Sequence, residues 1–381
     1  MTDLHAMLGA LVAPLAPGDA LTDGFSLVDL STELGPRVRL RRGAQDVLLE
    51  LMPLEEGLPH AVATARLGLS YRAGETDDPI DDALGLRLCR ALAERVAANE
   101  ARVLASGPRE APRIREVAVT RALEPMGPAH ERFFALSPYV GCTIGCRFCY
   151  AQSRLAGARR LLGLPVVAWG SWVDVRTNLP RVLEAELAAG VERPIKFCPV
   201  VSDPYPAIES RFRLTRACLE VLARADAPPT LLLTRSPAAA EDLDRLAALP
   251  RAWFGVSLPT LDDGVRRHFE PRAADVATRL ALLADAKARG ISTFAVVQPV
   301  LPGDVDALAD ALSERVDSVR VDVLRGEENA ATDFDDPRYA DARSEAWQRE
   351  RTLALRAGLA RRGVAVWTSE LPPALATGVS T

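Results

Sequence analysis

From Phe133 onward the sequence alternates short apolar runs with longer amphipathic segments, and this alternation constrains the fold more than any other feature. The apolar runs have the length of strands, and the segments between them show the period of helices. Such alternation predicts βα units around a parallel sheet whose strands are buried on both faces. The sequence is therefore predicted to be α/β, with six or seven units on the apolar runs 133–140, 195–201, 230–234, 253–258, 293–300, 319–324 and 364–367.

The first third of the chain shows a different pattern. Three β-like runs, at 37–41, 47–52 and 61–71, precede an acidic turn and a helix predicted over 83–103. At 381 residues the chain is also longer than the roughly 250–300 residues that one core organises. We predict a small α+β accessory domain over residues 1–130, joined by proline-containing stretches to a catalytic domain over residues 131–381.

Composition narrows the class of protein. No stretch approaches the ~20 uninterrupted apolar residues of a membrane helix, and no basic region accompanies the apolar N-terminus, so we expect neither a membrane partner nor an export signal. Six cysteines, three of them within eight residues, do not resemble a disulfide framework, and we expect a reducing cytoplasm. The net charge of −5 argues mildly against a protein that coats nucleic acid. Arg154, Arg159 and Arg160 form either a local basic groove or a solvated helix face.

Three cysteines, Cys142, Cys146 and Cys149, follow the first predicted barrel strand with the spacing C-x3-C-x2-C. Thiolates at this density suit zinc or an iron–sulfur cluster. A structural zinc site takes four ligands, commonly as two cysteine pairs, whereas here only three cysteines cluster and the four histidines are scattered. Three thiolates on a cube of four irons leave one iron open, as a catalytic metal site requires. We therefore predict that these cysteines hold a catalytic iron–sulfur cluster.

The C-x3-C-x2-C spacing followed by an aromatic residue, here Tyr150, resembles the signature of the radical S-adenosylmethionine (SAM) superfamily. In that family the open iron of a [4Fe–4S] cluster binds the amino and carboxylate groups of SAM, and reductive cleavage releases a 5′-deoxyadenosyl radical. The resemblance implies both cofactors, a partial (β/α)6 TIM-like barrel, and a catalytic role for Tyr150. It also implies an external one-electron reductant such as flavodoxin or ferredoxin.

Residues 133–305 further resemble the spore photoproduct lyase-like branch of that superfamily. The resemblance implies that Ser202 and Asp203 hold the amino group of SAM, that Arg235 and Ser257 approach its carboxylate or ribose, and that Gln298 also contacts the cofactor. For Ser257 a structural serine at a strand end is the alternative. The motifs that carry the resemblance occur in the expected order, as Val-Ser-Asp-Pro-Tyr-Pro at 201–206, Val-Ser-Leu at 256–258, His-Phe-Glu-Pro at 268–271 and Ala-Val-Val-Gln-Pro-Val-Leu-Pro-Gly at 295–303.

Cys198 lies inside the second predicted barrel strand. Spore photoproduct lyases use a cysteine near this point to return a hydrogen atom to a product radical. Aligned on the Ser-Asp pair, that position is occupied here by Val200, two residues later. Because alternate strand residues share a face, Cys198 is a candidate catalytic hydrogen donor. The alternative is a buried apolar cysteine.

Two charged segments near the predicted site leave alternatives open. The acidic segment 326–342 follows the sixth strand, where it either closes the mouth of the barrel or forms a solvated loop. Glu270 and Arg272 flank a proline after the fourth strand. They either position substrate or pair with each other on the surface.

Three functional hypotheses follow from the sequence. The first is a radical SAM enzyme that abstracts hydrogen from an unidentified substrate, with a peptide or a small molecule favoured. The second is repair of a nucleic-acid lesion, which the displaced cysteine and the acidic balance disfavour, so that nucleic acid is a possible but not a favoured partner. The third is a non-catalytic cluster-binding sensor or partner-binding protein. A full set of βα units with polar strand ends favours an enzyme.

Overall fold

The computed structural model describes residues 3–55, 59–73, 79–104, 111–128, 130–197, 200–225, 227–324 and 331–376. The strands are β1 Ala20–Thr22, β2 Phe25–Ser31, β3 Arg37–Arg42, β4 Gln45–Pro53, β5 Val62–Ala63, β6 Leu67–Ala73, β7 Ile114–Val117, β8 Leu123–Met126, β9 Phe133–Leu136, β10 Tyr139–Val140, β11 Val173–Arg176, β12 Ile195–Phe197, β13 Thr230–Thr234, β14 Ala252–Ser257, β15 Ser292–Val297, β16 Ser318–Val321 and β17 Ala365–Trp367. The helices are α1 Leu4–Val12, α2 Asp82–Val103, α3 Ala151–Leu161, α4 Leu179–Ala188, α5 Glu209–Phe212, α6 Leu214–Arg224, α7 Leu243–Ala247, α8 Asp263–Phe269, α9 Val276–Ala288, α10 Val305–Ser313, α11 Glu345–Arg361 and α12 Pro373–Ala376.

The N-terminal part of the chain forms an antiparallel sheet in the order β1-β2-β3-β4-β6-β5. Strand residues alternate between two faces, and one face is apolar. Val38 and Leu40 of that face are fully buried in a core shared with α1 and α2. Helix α2 begins after Asp81, whose carboxylate accepts a hydrogen bond from the Leu84 amide at 2.7 Å. The predicted α+β character of this segment is thus present, with α1 and β2 as elements that the sequence reading did not include.

The second large sheet has eight strands in the order β17-β16-β15-β14-β13-β12-β9-β8. From β9 to β17 neighbouring strands are parallel and follow chain order, and β8 pairs antiparallel at the edge. The outer face of this sheet carries apolar residues such as Leu232, Phe254 and Val256, which are fully buried in the same core as residues of the surrounding helices. The predicted α/β partial barrel is confirmed, and β17 adds a seventh parallel strand.

Residues 111–128 are tied to the barrel by backbone pairing. β8 pairs with β9, and β7 pairs parallel with β11, which also pairs with β10 in a three-stranded sheet. These strands fall inside the segment assigned above to the accessory domain. The division at residue 130 stays a prediction, while the pairing shows that both sides of it contribute to the barrel.

Polar contacts join the N-terminal sheet to the barrel. Arg132 lies 2.5 Å from Asp29, and the hydroxyl of Thr32 donates a hydrogen bond to Glu124 at 2.9 Å. Arg39 donates to the carbonyl of Gly127 at 2.9 Å. The charged face of the N-terminal sheet therefore lies toward the barrel. Of the helices in the described ranges, none is long and apolar enough to cross a membrane.

Candidate active site

The three clustered cysteines lie on the loop between β10 and α3. Cys142 and Cys146 are buried, and Cys149 is partly buried. Two backbone hydrogen bonds of 2.9 Å anchor the loop, from the Gly141 amide to the Val201 carbonyl and from the Arg147 amide to the Phe269 carbonyl. These bonds hold the thiols against the segments that follow the barrel strands, where barrel enzymes place their chemistry.

Arg272 holds the cysteine loop through hydrogen bonds to two backbone carbonyls. Its Nε donates to the carbonyl of Thr143, and its Nη2 donates to the carbonyl of Gly170 at 2.8 Å. Gly145, in the cysteine loop, has a φ of +67° and packs against Gly170 and the guanidinium group of Arg272. Arg272 therefore does not pair with Glu270 on the surface, which was one of the two alternatives. It holds the cluster loop in place.

This packing predicts that Gly145→Ala impairs cluster binding. A Cβ at this position would lie 2.5 Å from Arg272 Nη2 and 3.1 Å from the Gly170 Cα. Either the cysteine loop or the Arg272 side chain would therefore have to move. We expect the iron content after anaerobic reconstitution to fall about tenfold, the scale of effect seen when groups around a metal ligand are disturbed.

Gly290→Ala is the matched control. Gly290 also has a positive φ, +77°, but nothing lies within 4 Å of a Cβ built there. Both variants place an alanine in a left-handed backbone conformation, which costs ~1–2 kcal/mol. Only Gly145→Ala also disturbs the contact with Arg272. Equal iron content in the two variants would show that the contact with Arg272 is not what holds the loop.

The arrangement of the thiols fits a cluster better than a single ion. Within the described ranges no three His, Cys, Asp or Glu side chains are placed to share one metal ion. A cube of four irons binds each thiolate at a different corner, so the three cysteines need not converge on one point. Burial raises the pKa of all three thiols, that of Cys149 to about 11. Cluster binding therefore displaces protons from these thiols.

Asp203 joins the ends of two barrel strands beside the cysteines. Its Oδ1 accepts hydrogen bonds from the Thr234 hydroxyl at 2.6 Å and from the Tyr205 amide at 2.9 Å, and its Oδ2 accepts one from the Arg235 amide at 2.8 Å. Burial raises the pKa of Asp203, and these donors oppose the shift. A cavity of about 310 Å³ is lined by Cys142, Cys146, Cys149, Trp169, Ser202, Asp203 and Arg235. Ser202 and Asp203 thus lie next to the cysteines as predicted, with both Asp203 oxygens already engaged by the protein.

A buried ionic network supports Arg235. Its Nε donates to Glu270 Oε1 at 2.7 Å, and Arg279 Nη2 lies 2.8 Å from Glu270 Oε2. Arg279 also donates to the carbonyl of Ser257 at 2.7 Å. Glu270 and Arg279 are completely buried. Glu270 therefore links the ends of β13 and β14 from within the core, and it does not reach substrate from the surface.

A larger cavity of about 1510 Å³ occupies the inside of the barrel above the strand ends. Arg235, Ser257 and Gln298 lie at the ends of β13, β14 and β15 and line it together with Tyr150. The hydroxyl of Ser257 is buried without a hydrogen-bond partner in the part of the chain that the structure describes. A buried hydroxyl in that state suits a ligand that supplies its partner. Cys146 and Cys149 line the same cavity, so the predicted cofactor-binding residues and the cluster loop share one space.

Comparison with known proteins agrees with this arrangement. The family model described as the radical SAM superfamily matches residues 136–314. The matched segment is just under half of the chain, and it contains the three clustered cysteines and the strand-end residues described above. These residues are therefore similar to the radical SAM superfamily, whose enzymes use a [4Fe–4S] cluster and SAM and need a reductant.

Several relatives share this domain. An uncharacterized protein of Methanocaldococcus jannaschii is 26% identical over 194 residues, which is 50% of this chain and 70% of the relative. An uncharacterized protein of Mycobacterium tuberculosis is 28% identical over 179 residues, 46% of this chain and 51% of the relative. A radical SAM Nα-GlyT isomerase of Pseudomonas phage M6 is 29% identical over 181 residues, 47% of this chain and 35% of the relative. The match thus spans about half of the mycobacterial protein and a third of the phage protein.

Among solved structures, spore photoproduct lyase complexed with a dinucleoside spore photoproduct superposes with a TM-score of 0.50 at 15% identity. The superposition covers 66% of this chain and 81% of the lyase. At this level of identity the likeness concerns the fold. It agrees with the partial barrel described above.

The protein has a further polar group at the larger cavity that the sequence did not predict. Lys196 Nζ lies 3.0 Å from Glu370 Oε2, and Arg320 Nη2 lies 3.2 Å from Glu370 Oε1. Burial alone would raise the pKa of Glu370, but Lys196 and Arg320 lower it to about 2. All three residues line the larger cavity. A lysine at the second position of the apolar run 195–201 was the available signal, since an unpaired charge is not stable in a buried strand.

The acidic segment after β16 is partly described. Residues 326–330 lie outside the described residues, whereas Asp333 lies 2.5 Å from Arg147 of the cysteine loop. Phe334 and Tyr339 stack against Phe269 with ring centroids 4.7 Å and 5.2 Å away. The described part of this segment therefore packs over the cluster loop and is not a freely solvated loop.

Cys198 also lies outside the described residues. Val200, which the resemblance aligns with the lyase cysteine, lines the larger cavity. The role of Cys198 as hydrogen donor stays a prediction.

Proposed function

We propose that this enzyme cleaves SAM reductively and uses the 5′-deoxyadenosyl radical to abstract a hydrogen atom from a peptide or small-molecule substrate. The cluster would be held by Cys142, Cys146 and Cys149. The observation that supports the proposal is that the cluster loop and the polar strand ends of β13 to β15 line one cavity. A cluster held by these three cysteines would supply the single electron that reductive cleavage of SAM to methionine and the 5′-deoxyadenosyl radical requires.

In this proposal different residues of the chain have different roles in binding SAM. Ser257 offers a buried hydroxyl that has no partner among the described residues, so it can bond a polar group of the nucleoside or of the amino acid part. Arg235 presents a cation that suits the carboxylate of SAM. Asp203 fixes the backbone at Arg235, because its carboxylate accepts the Arg235 amide hydrogen bond. In this proposal Asp203 positions the strand ends, and Ser202 and Gln298 remain candidates for direct contact.

The rest of the cavity is suited to a reactive radical. Its wall carries the apolar side chains of Leu34, Phe148, Val200, Leu233 and Val296. This apolar part of the wall would keep water away from the radical, whereas Lys196, Arg320 and Glu370 make another part of the same wall polar. Tyr150 lies at the junction of the cluster loop and α3 and lines the same cavity, which is consistent with contact to substrate.

Repair of a photoproduct in nucleic acid is not the function we propose. Val200 lies where the lyase cysteine is expected, and a valine cannot donate a hydrogen atom as a thiol does.

A one-electron donor of the flavodoxin or ferredoxin type would reduce the cluster. A cytoplasmic location is part of this proposal, because six cysteines of which three are clustered do not resemble a disulfide framework.

The test is SAM cleavage by the reconstituted protein under anaerobic conditions with dithionite as reductant. We expect 5′-deoxyadenosine and methionine in equal amounts, formed only with reductant present. An intact cluster without any cleavage would refute the proposed function and favour the sensor hypothesis.

Ser257→Ala tests the binding of SAM. Loss of the hydroxyl removes one hydrogen bond to the bound cofactor, worth ~0.5–1.5 kcal/mol, so the KM for SAM should rise about threefold to tenfold. The kcat should change less than the KM, since the group acts in binding. Ser313→Ala, at a half-buried position at the end of α10, is the control and should leave the KM unchanged. An unchanged KM in Ser257→Ala would return this serine to a structural role.

A further inference from the structure

A third cavity lies between the N-terminal sheet and the barrel, and its volume of about 1070 Å³ includes space open to solvent. It shares part of its wall with the larger cavity at the cluster loop. Leu34, Tyr150, Val200 and Glu370 line both. A molecule with one end in the barrel can therefore extend past Tyr150 and Val200 to the N-terminal sheet.

The N-terminal sheet presents an unusual face to this cavity. On β3, Val38 and Leu40 enter the apolar core, while Arg37 and Arg39 lie on the opposite face. Both arginines are only 9% exposed, although arginine is rarely buried without full compensation. The sheet thus buries charge between two layers where apolar packing is the usual arrangement.

Positive charge on this face exceeds negative charge. Three guanidinium groups surround the single carboxylate of Glu50, with Arg37 at 2.7 Å, Arg72 at 3.5 Å and Arg154 at 3.6 Å. Burial lowers the pKa of Arg37 to about 10, and Arg154 and Arg72 add to the shift against the opposing effect of Glu50. Glu50 alone therefore does not compensate the three cations.

The carboxylates that line the cavity are already paired with other cations. Asp46 lies 2.5 Å from Arg39, and Asp29 lies 2.5 Å from Arg132. Glu370 is bound by Lys196 and Arg320. The acidic residues of the wall therefore do not satisfy the cations around Glu50.

Arg37 has a buried donor without an acceptor among the described residues, while Glu50 Oε1 and Asp46 Oδ1 are buried oxygens without a donor there. Arg37 Nε is buried, lines the cavity through its side chain, and makes no hydrogen bond to any described residue. A buried guanidinium N–H without an acceptor is unfavourable by roughly 1–3 kcal/mol or more, and a bound oxyanion relieves that penalty. Arginine also matches the planar geometry of carboxylate and phosphate oxygens.

We propose that this cavity is an anion-binding subsite for the substrate, in which Arg37 and Arg72 bind a phosphate or carboxylate group, together with Arg154 from the adjoining wall of the larger cavity. The rest of the substrate extends past Tyr150 and Val200 to the cluster loop. This inference rests on the proposed function, because it assigns the third cavity to the same substrate. The space that water-sized molecules can occupy is about 300 Å³, the lower end of the range for small-molecule pockets, so the ligand is a small anionic molecule or the charged end of a short chain, and not a duplex.

Isothermal titration calorimetry on the reconstituted holoenzyme tests the subsite without any turnover. The probes are inorganic pyrophosphate and glutarate, which distinguish a phosphate source from a carboxylate source. We expect one of them to bind, and its affinity to fall about tenfold or more in Arg72→Gln, the loss expected when a charge-assisted contact is removed. Arg72 is largely exposed, so this variant should fold even if Arg37→Gln does not.

The control is Arg361→Gln, which removes an exposed ion pair with Asp306 on the far helix α11 and should leave probe affinity unchanged. Absence of binding by both probes, or equal affinity in Arg72→Gln and the wild type, would overturn the subsite. Tighter binding of a short single-stranded oligonucleotide than of pyrophosphate would overturn the small-anion assignment. Because calorimetry does not depend on SAM cleavage, a failure of the subsite and a failure of the proposed function are read separately.

Discussion

Replacing Cys146 with alanine should remove the cluster and lower SAM cleavage by more than about a hundredfold. Disturbing a group that merely supports a metal ligand typically lowers affinity or activity ten- to a hundredfold, so loss of a ligand itself should exceed that range. Cys146 is 6% exposed and lines both cavities at the strand ends, so no other described thiol can take its place without moving the loop. Iron and sulfide content after reconstitution, with 5′-deoxyadenosine production, gives the measurement.

Cys218→Ala is the matched control for this variant. Cys218 is also buried, on α6, but it belongs to the core between barrel and helices. Its loss should lower stability through a small cavity and leave the iron content per folded protein unchanged. Full cluster content in Cys146→Ala would show that this cysteine is not a ligand and would redirect the search toward other donors.

Much of the barrel could be predicted because its signals are local. Each parallel strand is a short apolar run, and each run is followed by a helical segment, so element type and order follow from patterns within about ten residues. The cysteine loop was found for the same reason, since its three thiols and Tyr150 lie within nine consecutive residues. The strand-end residues Arg235, Ser257 and Gln298 came together as predicted, because equivalent ends of parallel strands meet at one edge.

The supporting contacts could not be predicted because they join residues that are distant in sequence. Arg272 meets Thr143 across 129 positions, and Lys196 meets Glu370 across 174. Periodic patterns in the local sequence do not indicate which distant residues form such pairs. A charged residue in an apolar context, such as Lys196, indicates that a partner exists without indicating which residue it is.

The sequence predicts which side chains share one face of a strand, but it does not predict what that face packs against. The alternation Arg-Val-Arg-Leu-Arg-Arg at 37–42 predicts one polar and one apolar side. The usual inference is that the polar side meets water. Here Arg37 and Arg39 are buried because that side lies against the barrel, so the arginines line a cavity that continues to the cluster loop. The N-terminal sheet thereby becomes part of the substrate chamber in our proposal, which the sequence pattern does not indicate.

Replacing Glu270 with glutamine should lower the free energy of unfolding by about 3–5 kcal/mol, the range measured when one partner is removed from a buried ionic network. Glu270 is fully buried and bonds two guanidinium groups, those of Arg235 and Arg279. The glutamine keeps the size of the side chain but leaves both cations without a counter-charge. Urea denaturation of the anaerobic apo chain provides the measurement.

Glu345→Gln provides the comparison, because it makes the same chemical change in an exposed helical pair with Arg349. We expect no measurable change there, since exposed pairs of this kind contribute little. The double variant Glu270→Gln/Arg279→Met should lose less stability than the sum of its two single changes, because removing Arg279 also removes one of the uncompensated cations. If Glu270→Gln unfolds with the same midpoint as Glu345→Gln, the network does not stabilise the strand ends, and the position of Arg235 must be set by Asp203 alone.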